Sequence, residues 1–118
     1  MRELVASDRE IIVWTLTIVE IVSATWRREP YLYDDSQRAA AVAIEVAADT
    51  DWSKVTDIRS VVAMTNRIAK RHRLRAGDTL QLAAALTASK GAPATLPFVT
   101  LDHDLASVAR AEGFPVLP

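Results

Sequence analysis

A short apolar run that ends in two aspartates constrains the fold of this chain most. Residues 98–101 (FVTL) have the composition of a buried strand, and Asp102 and Asp104 follow them directly. A helical pattern then begins, with Leu105 on its apolar side and Glu112 on its outer side. In an open α/β sheet, ligands bind just beyond the carboxyl ends of the strands. The sequence therefore predicts carboxylates at a ligand-binding edge, and a metal site is the working hypothesis.

Size and composition predict one soluble domain over residues 1–118. Half of the 118 residues are hydrophobic, and the net charge of −1 gives no general attraction for nucleic acid. The chain has no cysteine, which excludes disulfides, thiolate zinc sites and cysteine nucleophiles. Its first eight residues are too charged for a signal peptide, and no apolar run approaches the roughly 20 residues that span a bilayer. We expect a cytoplasmic protein that does not contact a membrane.

Strand and helix patterns alternate along the chain. The opening residues 4–7 have the pattern of a last helical turn, and the apolar run 11–16 is the first predicted strand. Thr17 is predicted to cap the helix that follows, with Glu20 as its capping-box partner. The other predicted elements are a helix from 34–36 onward, an edge strand at 51–55, a helix capped by Asp57, a helix with Asp78 in its first turn, and a last strand at 113–118. This alternation predicts a three-layer α/β domain with a mostly parallel sheet.

Acidic residues that follow strands gather at one edge of such a sheet. Glu20 comes just after the first strand, Asp78 opens a later helix, and Asp102 and Asp104 follow the 98–101 strand. Carboxylates this close repel one another unless a hard cation such as Mg²⁺ or Mn²⁺ neutralises them. Such a cation can activate water against a phosphodiester.

Each acid also has a structural interpretation. Glu20 fits a capping box, Asp78 complements a helix dipole, and Asp102 with Asp104 could be an ordinary cap pair. For Glu20 or Asp78 alone the structural role is favoured. Their joint placement is what favours the metal site.

Other polar and aromatic residues give weaker predictions. The basic run 70–75, with Arg73 and Arg75, is placed to hold RNA phosphates, and a solvated helix terminus explains it equally well. His72 and His103 are too few and too scattered for a histidine metal site, and a structural or surface role is favoured for both. The tryptophans at 14, 26 and 52 are expected to pack in the core or at an interface. No glycine-rich phosphate loop and no nucleophile elbow is present, which argues against nucleotide-dependent transferases and serine hydrolases.

Three segments resemble, in order and spacing, the later motifs of PIN domains, most closely the VapC-like toxins of bacterial toxin–antitoxin pairs. They are LTIVE (16–20), LRAGDTLQLAAAL (74–86) and FVTLDHDL (98–105), and the closing residues 111–117 extend the resemblance over nearly the whole chain. The resemblance implies a compact α/β/α fold and cleavage of RNA with Mg²⁺ or Mn²⁺. It also implies that Glu20, Asp78 and Asp102 are acidic ligands, that Asp104 supports them, and that the Thr100 hydroxyl faces the site.

The chain departs from the PIN pattern at its beginning. PIN domains start with a strand that ends in an aspartate, the first metal ligand, and no residue among the first eight here follows an apolar strand. The missing strand would be central, so strands 11–16 and 98–101 would face a gap. A start assigned too late, a natural truncation without catalysis, and a gap filled by another chain remain three alternatives. We expect a homodimer, a strand-exchanged oligomer or a rearrangement around the gap.

The resemblance thus implies a metal-dependent endoribonuclease, the toxin component of a type II toxin–antitoxin system, and the departure at the beginning of the chain implies that it is weak or inactive. Its expected partners are an RNA substrate and a cognate antitoxin. The alternative is a non-catalytic truncated PIN module that binds an antitoxin or self-associates.

Overall fold

The computed structural model describes residues 11–28 and 34–117, which form a mixed α/β arrangement dominated by helix. The predicted helical turn at 4–7 lies outside the described residues. The described elements are β1 (Ile12–Trp14), α1 (Thr15–Arg28), α2 (Asp35–Thr50), β2 (Ser53–Val55), α3 (Ile58–Arg71), α4 (Ala76–Ser89), a 3₁₀ turn (Pro93–Thr95), β3 (Phe98–Val99), α5 (His103–Ala111) and β4 (Val116–Leu117).

The strands form two separate parallel pairs. β1 pairs with β2, with Val13 opposite Lys54, and β3 pairs with β4, with Phe98 opposite Val116. The predicted parallel pairing is therefore confirmed for both pairs. Among the described residues no backbone ladder joins β1 to β3, and a single sheet between two helical layers stays a prediction.

Aspartate caps begin three of the helices. Asp57 was the predicted cap, Asp34 is one of the candidates at 34–36, and capping by Asp102 was the structural alternative. The carboxylate of Asp34 accepts a hydrogen bond from the Gln37 N–H at 2.7 Å, and that of Asp57 accepts one from the Ser60 N–H at 3.1 Å. Asp102 caps α5 in the same way. Because a side-chain oxygen satisfies N–H groups that the helix itself leaves unpaired, these caps fix where the helices begin.

The strands are shorter than predicted, and the first helix begins earlier. β1 ends at Trp14 rather than at residue 16, and α1 begins at Thr15, two residues before the predicted cap Thr17. The Thr15 hydroxyl donates to the Val55 carbonyl of β2, so residue 15 is held against the neighbouring strand as the helix starts. The other strands shrink to 53–55, 98–99 and 116–117. β3 stops where the Thr100 hydroxyl accepts the Asp102 N–H at 3.1 Å and turns the chain.

Helix α4 is the centre of the core. Its buried residues include Leu82, Ala83 and Leu86, and α3 packs against them through Val61 and Ile68, which are fully buried. Phe98 and Phe114 extend the core beneath β3 and β4, with ring centroids 5.7 Å apart. The core therefore lies mainly within residues 58–117.

The first two helices are far less buried. α1 has no buried residue, and α2 buries Ala48 alone. Trp26 is 68% exposed, so it does not pack in the core, and its expected role at an interface stays a prediction; Trp14 is buried as expected. Within the described residues, no helix combines the length and apolarity that a membrane crossing needs.

An apolar groove separates the two strand pairs. Its walls are β1, with Ile12 and Trp14, and the segment from Leu96 to Val99 that contains β3. Its floor is the face of α4 that carries Ala84, Ala85 and Ala88. We call it the β1–β3 groove. Its cavity measures about 270 Å³.

Candidate functional site

Glu20 is held against the helix that carries Asp78. Its carboxylate, on α1, accepts a hydrogen bond from the Gln81 side-chain amide of α4 at 3.1 Å. Gln81 follows Asp78 by one helical turn, and residues three apart on a helix have Cβ atoms about 5–6 Å apart. The structure therefore brings Glu20 to the first turns of α4, across 61 positions of sequence.

Asp78 lies in the first turn of α4 and is half-buried. Among the described residues, no side chain or N–H donates a hydrogen bond to its carboxylate. The positive end of the helix dipole favours a negative charge at this position. The structural interpretation of Asp78 is thus compatible with the structure, and its carboxylate oxygens are also open to a further partner.

Asp102 is an N-cap. Its Oδ1 accepts the Asp104 N–H at 2.8 Å and the Leu105 N–H at 3.0 Å, which is the cap pair that the sequence left open as an alternative. Both bonds go to one oxygen, so Oδ2 accepts no hydrogen bond from another described residue. Asp104 is exposed, and its part in the cap is its backbone N–H.

Thr100 is engaged with the same turn. Its hydroxyl oxygen accepts the Asp102 N–H, which orients the residue that begins α5. The hydroxyl can still donate a hydrogen bond, so Thr100 could contact a ligand that lies next to this turn. Its predicted contact with substrate stays a prediction.

The described residues contain no ready-made metal site. Within 11–28 and 34–117, no three His, Asp or Glu side chains form a group that could hold a metal ion. The structure brings Glu20 to the helix of Asp78 and leaves Asp102 at the start of α5. The predicted metal centre therefore stays a prediction.

The basic run 70–75 is divided between two environments. Arg73 and Arg75 are exposed, as an RNA-binding surface requires. Arg71 and His72 instead face Glu112: His72 Nε2 lies 3.0 Å and Arg71 Nη1 lies 3.4 Å from Glu112 Oε1. The structural role predicted for His72 is thus confirmed, and His103 is exposed at the start of α5.

Glu112 contradicts the prediction that it lies on the outer side of its helix. Its side chain is 2% exposed, and its Oε2 accepts a hydrogen bond from Arg67 at 3.0 Å. The backbone of Glu112 is still right-handed helical at the C-cap of α5, so its side chain stays on the face of buried Leu105 and Ala109 and meets the basic end of α3. The spacing of Arg67 and Arg71, one turn apart on one helix face, is the sequence signal that could have indicated a shared anionic partner.

The β1–β3 groove also contains an unpaired polar group. Trp14 is 5% exposed, and its indole Nε1 is buried with no hydrogen-bond partner among the described residues. The polar side chains of the lining are Thr17 and Gln81, and Gln81 connects the groove to Glu20. No charged side chain among the described residues lines it.

Comparison of the chain with protein-family profiles, with curated proteins and with solved structures finds no match.

Proposed function

We propose that this chain is a PIN-like, Mg²⁺- or Mn²⁺-dependent endoribonuclease, the toxin component of a type II toxin–antitoxin system. The observation that carries the proposal is the hydrogen bond between Glu20 and Gln81, which brings the acid that follows the first strand to the helix turn of Asp78. The sequence resemblance selects the same two acids as ligands. The proposal is therefore supported by residues that are distant in sequence and near in space.

The chemistry of the donors suits a hard cation. Glu20, Asp78 and the unused Oδ2 of Asp102 would supply carboxylate oxygens, which Mg²⁺ and Mn²⁺ prefer. Such a cation, when bound, lowers the pKa of a bound water and stabilises charge on a phosphodiester. The exposed guanidinium groups of Arg73 and Arg75 would bind RNA phosphates beside Asp78.

The test is Mn²⁺ binding by calorimetry together with cleavage of a fluorescent single-stranded RNA. We expect slow, Mn²⁺-dependent cleavage that Glu20→Gln or Asp78→Asn reduces by about 100-fold, equivalent to roughly 3 kcal/mol of activation free energy. Asp49→Asn, the same type of change at an exposed position of α2, is the matched control and should leave the rate unchanged. If the full chain binds no Mn²⁺, or if Asp49→Asn has the same effect as Asp78→Asn, the nuclease proposal fails.

A non-catalytic PIN-like module that binds an antitoxin or self-associates is the second candidate. The observation that favours it is the lack of a three-ligand group among residues 11–28 and 34–117. Under this candidate the chain binds its partner without binding Mn²⁺, and Glu20→Gln leaves that binding unchanged.

A further inference from the structure

We propose that the β1–β3 groove is an acceptor site for an extended, uncharged apolar segment of another polypeptide, which adds as a strand between β1 and β3. This inference goes beyond the proposed nuclease activity and does not rest on it. It follows from the free backbone edges of the two walls and from the apolar, uncharged floor between them.

The first wall has a backbone edge without a partner strand. The Ile11 carbonyl accepts the Ser53 N–H at 2.9 Å, so Ile11 and, two residues on, Val13 direct their backbone groups toward β2. Because successive residues of a strand direct these groups to opposite edges, Ile12 and Trp14 direct theirs away from β2. Among the described residues no strand pairs with that edge.

The second wall has the same property. The N–H groups of Phe98 and Thr100 donate to the Pro115 and Leu117 carbonyls of the β4 segment at 2.7 and 3.2 Å. Val99, which lies between them, therefore directs its N–H and C=O to the edge away from β4. Ile12 and Val99 both line the groove, and they are 45% and 41% exposed, respectively. A strand inserted here could form ladders on both of its edges.

The floor suits one face of such a strand. Ala84, Ala85 and Ala88 present methyl groups along α4 and leave room above them for larger apolar side chains. The lack of charged lining residues in the described part of the chain favours an uncharged occupant, because a charge placed there would lose hydration without gaining a counter-ion. The residues of the occupant that face α4 should therefore be valine, isoleucine or similar.

The free backbone edges favour a polypeptide over a hydrocarbon occupant. A lipid tail would leave the backbone groups of Ile12 and Val99 unpaired, whereas an added strand could pair with both.

A strand of a second copy of the chain fits the groove less well than a separate extended segment does. The described strands are two or three residues long, and each is already paired along one edge. A described strand from another copy would bring its own paired strand with it, so it could meet one wall but not enter between both. The occupant that uses both walls is a single extended segment.

The test uses hydrogen exchange on the full chain with a panel of capped six-residue peptides that alternate valine or isoleucine with threonine. We expect the amides of Ile12 and Val99 to exchange freely in the protein alone and to slow by about tenfold or more with saturating peptide. Peptides that are N-methylated at alternate residues lack the donors for one edge and should bind roughly tenfold more weakly.

Two substitutions locate the binding to the groove. Ile12→Pro removes an N–H that does not take part in the β1–β2 ladder, and Ala88→Phe fills the floor; either should abolish the peptide effect. Val62→Ala, at an exposed apolar position of α3 outside the groove, should not alter it. The unfolding midpoint of each variant checks that it folds.

Several results would overturn the proposal. It fails if no peptide of the panel slows the two amides, or if the N-methylated peptides bind as well as the others. Protection of Ile12 and Val99 in the protein alone would show that the edges are already paired, within the chain if it is independent of concentration and between copies if it rises with concentration. Peptide binding that both groove variants retain while folded would place the site elsewhere.

Discussion

Glu112 shows how one residue connects two elements that the sequence does not visibly relate. Its buried carboxylate meets Arg67, Arg71 and His72, so it joins the end of α5 to the last turns of α3. The arginine side chains are about half exposed, at 50% and 53%, and keep much of their hydration. The stabilisation therefore comes from satisfying a buried carboxylate more than from the strength of two surface ion pairs.

We expect Glu112→Gln to lower the free energy of unfolding by about 1–3 kcal/mol, because charged hydrogen bonds at a buried oxygen are replaced by weaker ones. Urea unfolding at neutral pH measures this change. Glu45→Gln makes the same chemical change on α2, without an ion pair to another described residue, and should alter stability by less than about 0.5 kcal/mol. Equal effects of the two substitutions would contradict the role assigned to Glu112.

The Asp57 carboxyl makes the free energy of unfolding depend on pH in the acidic range. The hydrogen bond from the Ser60 hydroxyl, followed by that from the Ser60 N–H, lowers the pKa of the Asp57 carboxyl below its ordinary value near 3.8. A carboxyl whose pKa is lower in the folded state stabilises the protein above the unfolded pKa, and this contribution is lost as the pH falls through the folded pKa. Asp57→Ala should therefore lower the urea midpoint at pH 7 by more than it does below pH about 3. A pH-independent difference would contradict this mechanism.

Helices α1 and α4 differ strongly in how many of their residues are buried. α4 buries six residues, whereas α1 buries none and exposes Val19 and Trp26. Helices in proteins are stable mainly because one face packs against the core. Helix α1 should therefore open locally while α4 stays folded.

Hydrogen exchange should separate these two helices. We expect α1 amides to be less protected than α4 amides by about a hundredfold, which corresponds to roughly 3 kcal/mol of opening free energy. Leu82→Ala, in the core, should reduce protection in α4 and leave that of α1 unchanged, because α1 opens without unfolding the rest. Equal protection of the two helices in the unsubstituted protein would contradict this expectation.

The sequence predicted these elements to different degrees. The caps at Asp34, Asp57 and Asp102 were predictable because a carboxylate beside a helix start acts through local hydrogen bonds. The start of α1 at Thr15 was not predictable. β-branched residues favour a strand at this position, and the strand ends there because Thr15 hydrogen-bonds to Val55, 40 positions away.

At the scale of the whole molecule, the alternation of strand and helix patterns predicted the mixed α/β arrangement and the parallel pairing of its strands, whereas a single sheet stays a prediction. Glu112 follows buried Leu105 by seven residues, a helical spacing that indicates the buried face, but its basic partners on α3 could not be read from periodicity. The exposure of Trp26 could not be read from periodicity either, since it depends on which faces other elements cover. The candidate site was predicted only in part for the same reason. The approach of Glu20 to α4 is a tertiary contact, and the use of Asp102 as a cap is a local one.

The central position of α4 has a consequence for synthesis of the chain. β1, α1 and α2 are synthesised before residues 76–89, against which β1 packs. Until then Trp14 lacks the residues of α4 that it packs against in the folded protein. We therefore expect the amino-terminal half to reach its folded state only after residues 76–89 have been synthesised, and slow translation through residues 58–75 would lengthen the exposure of its apolar residues.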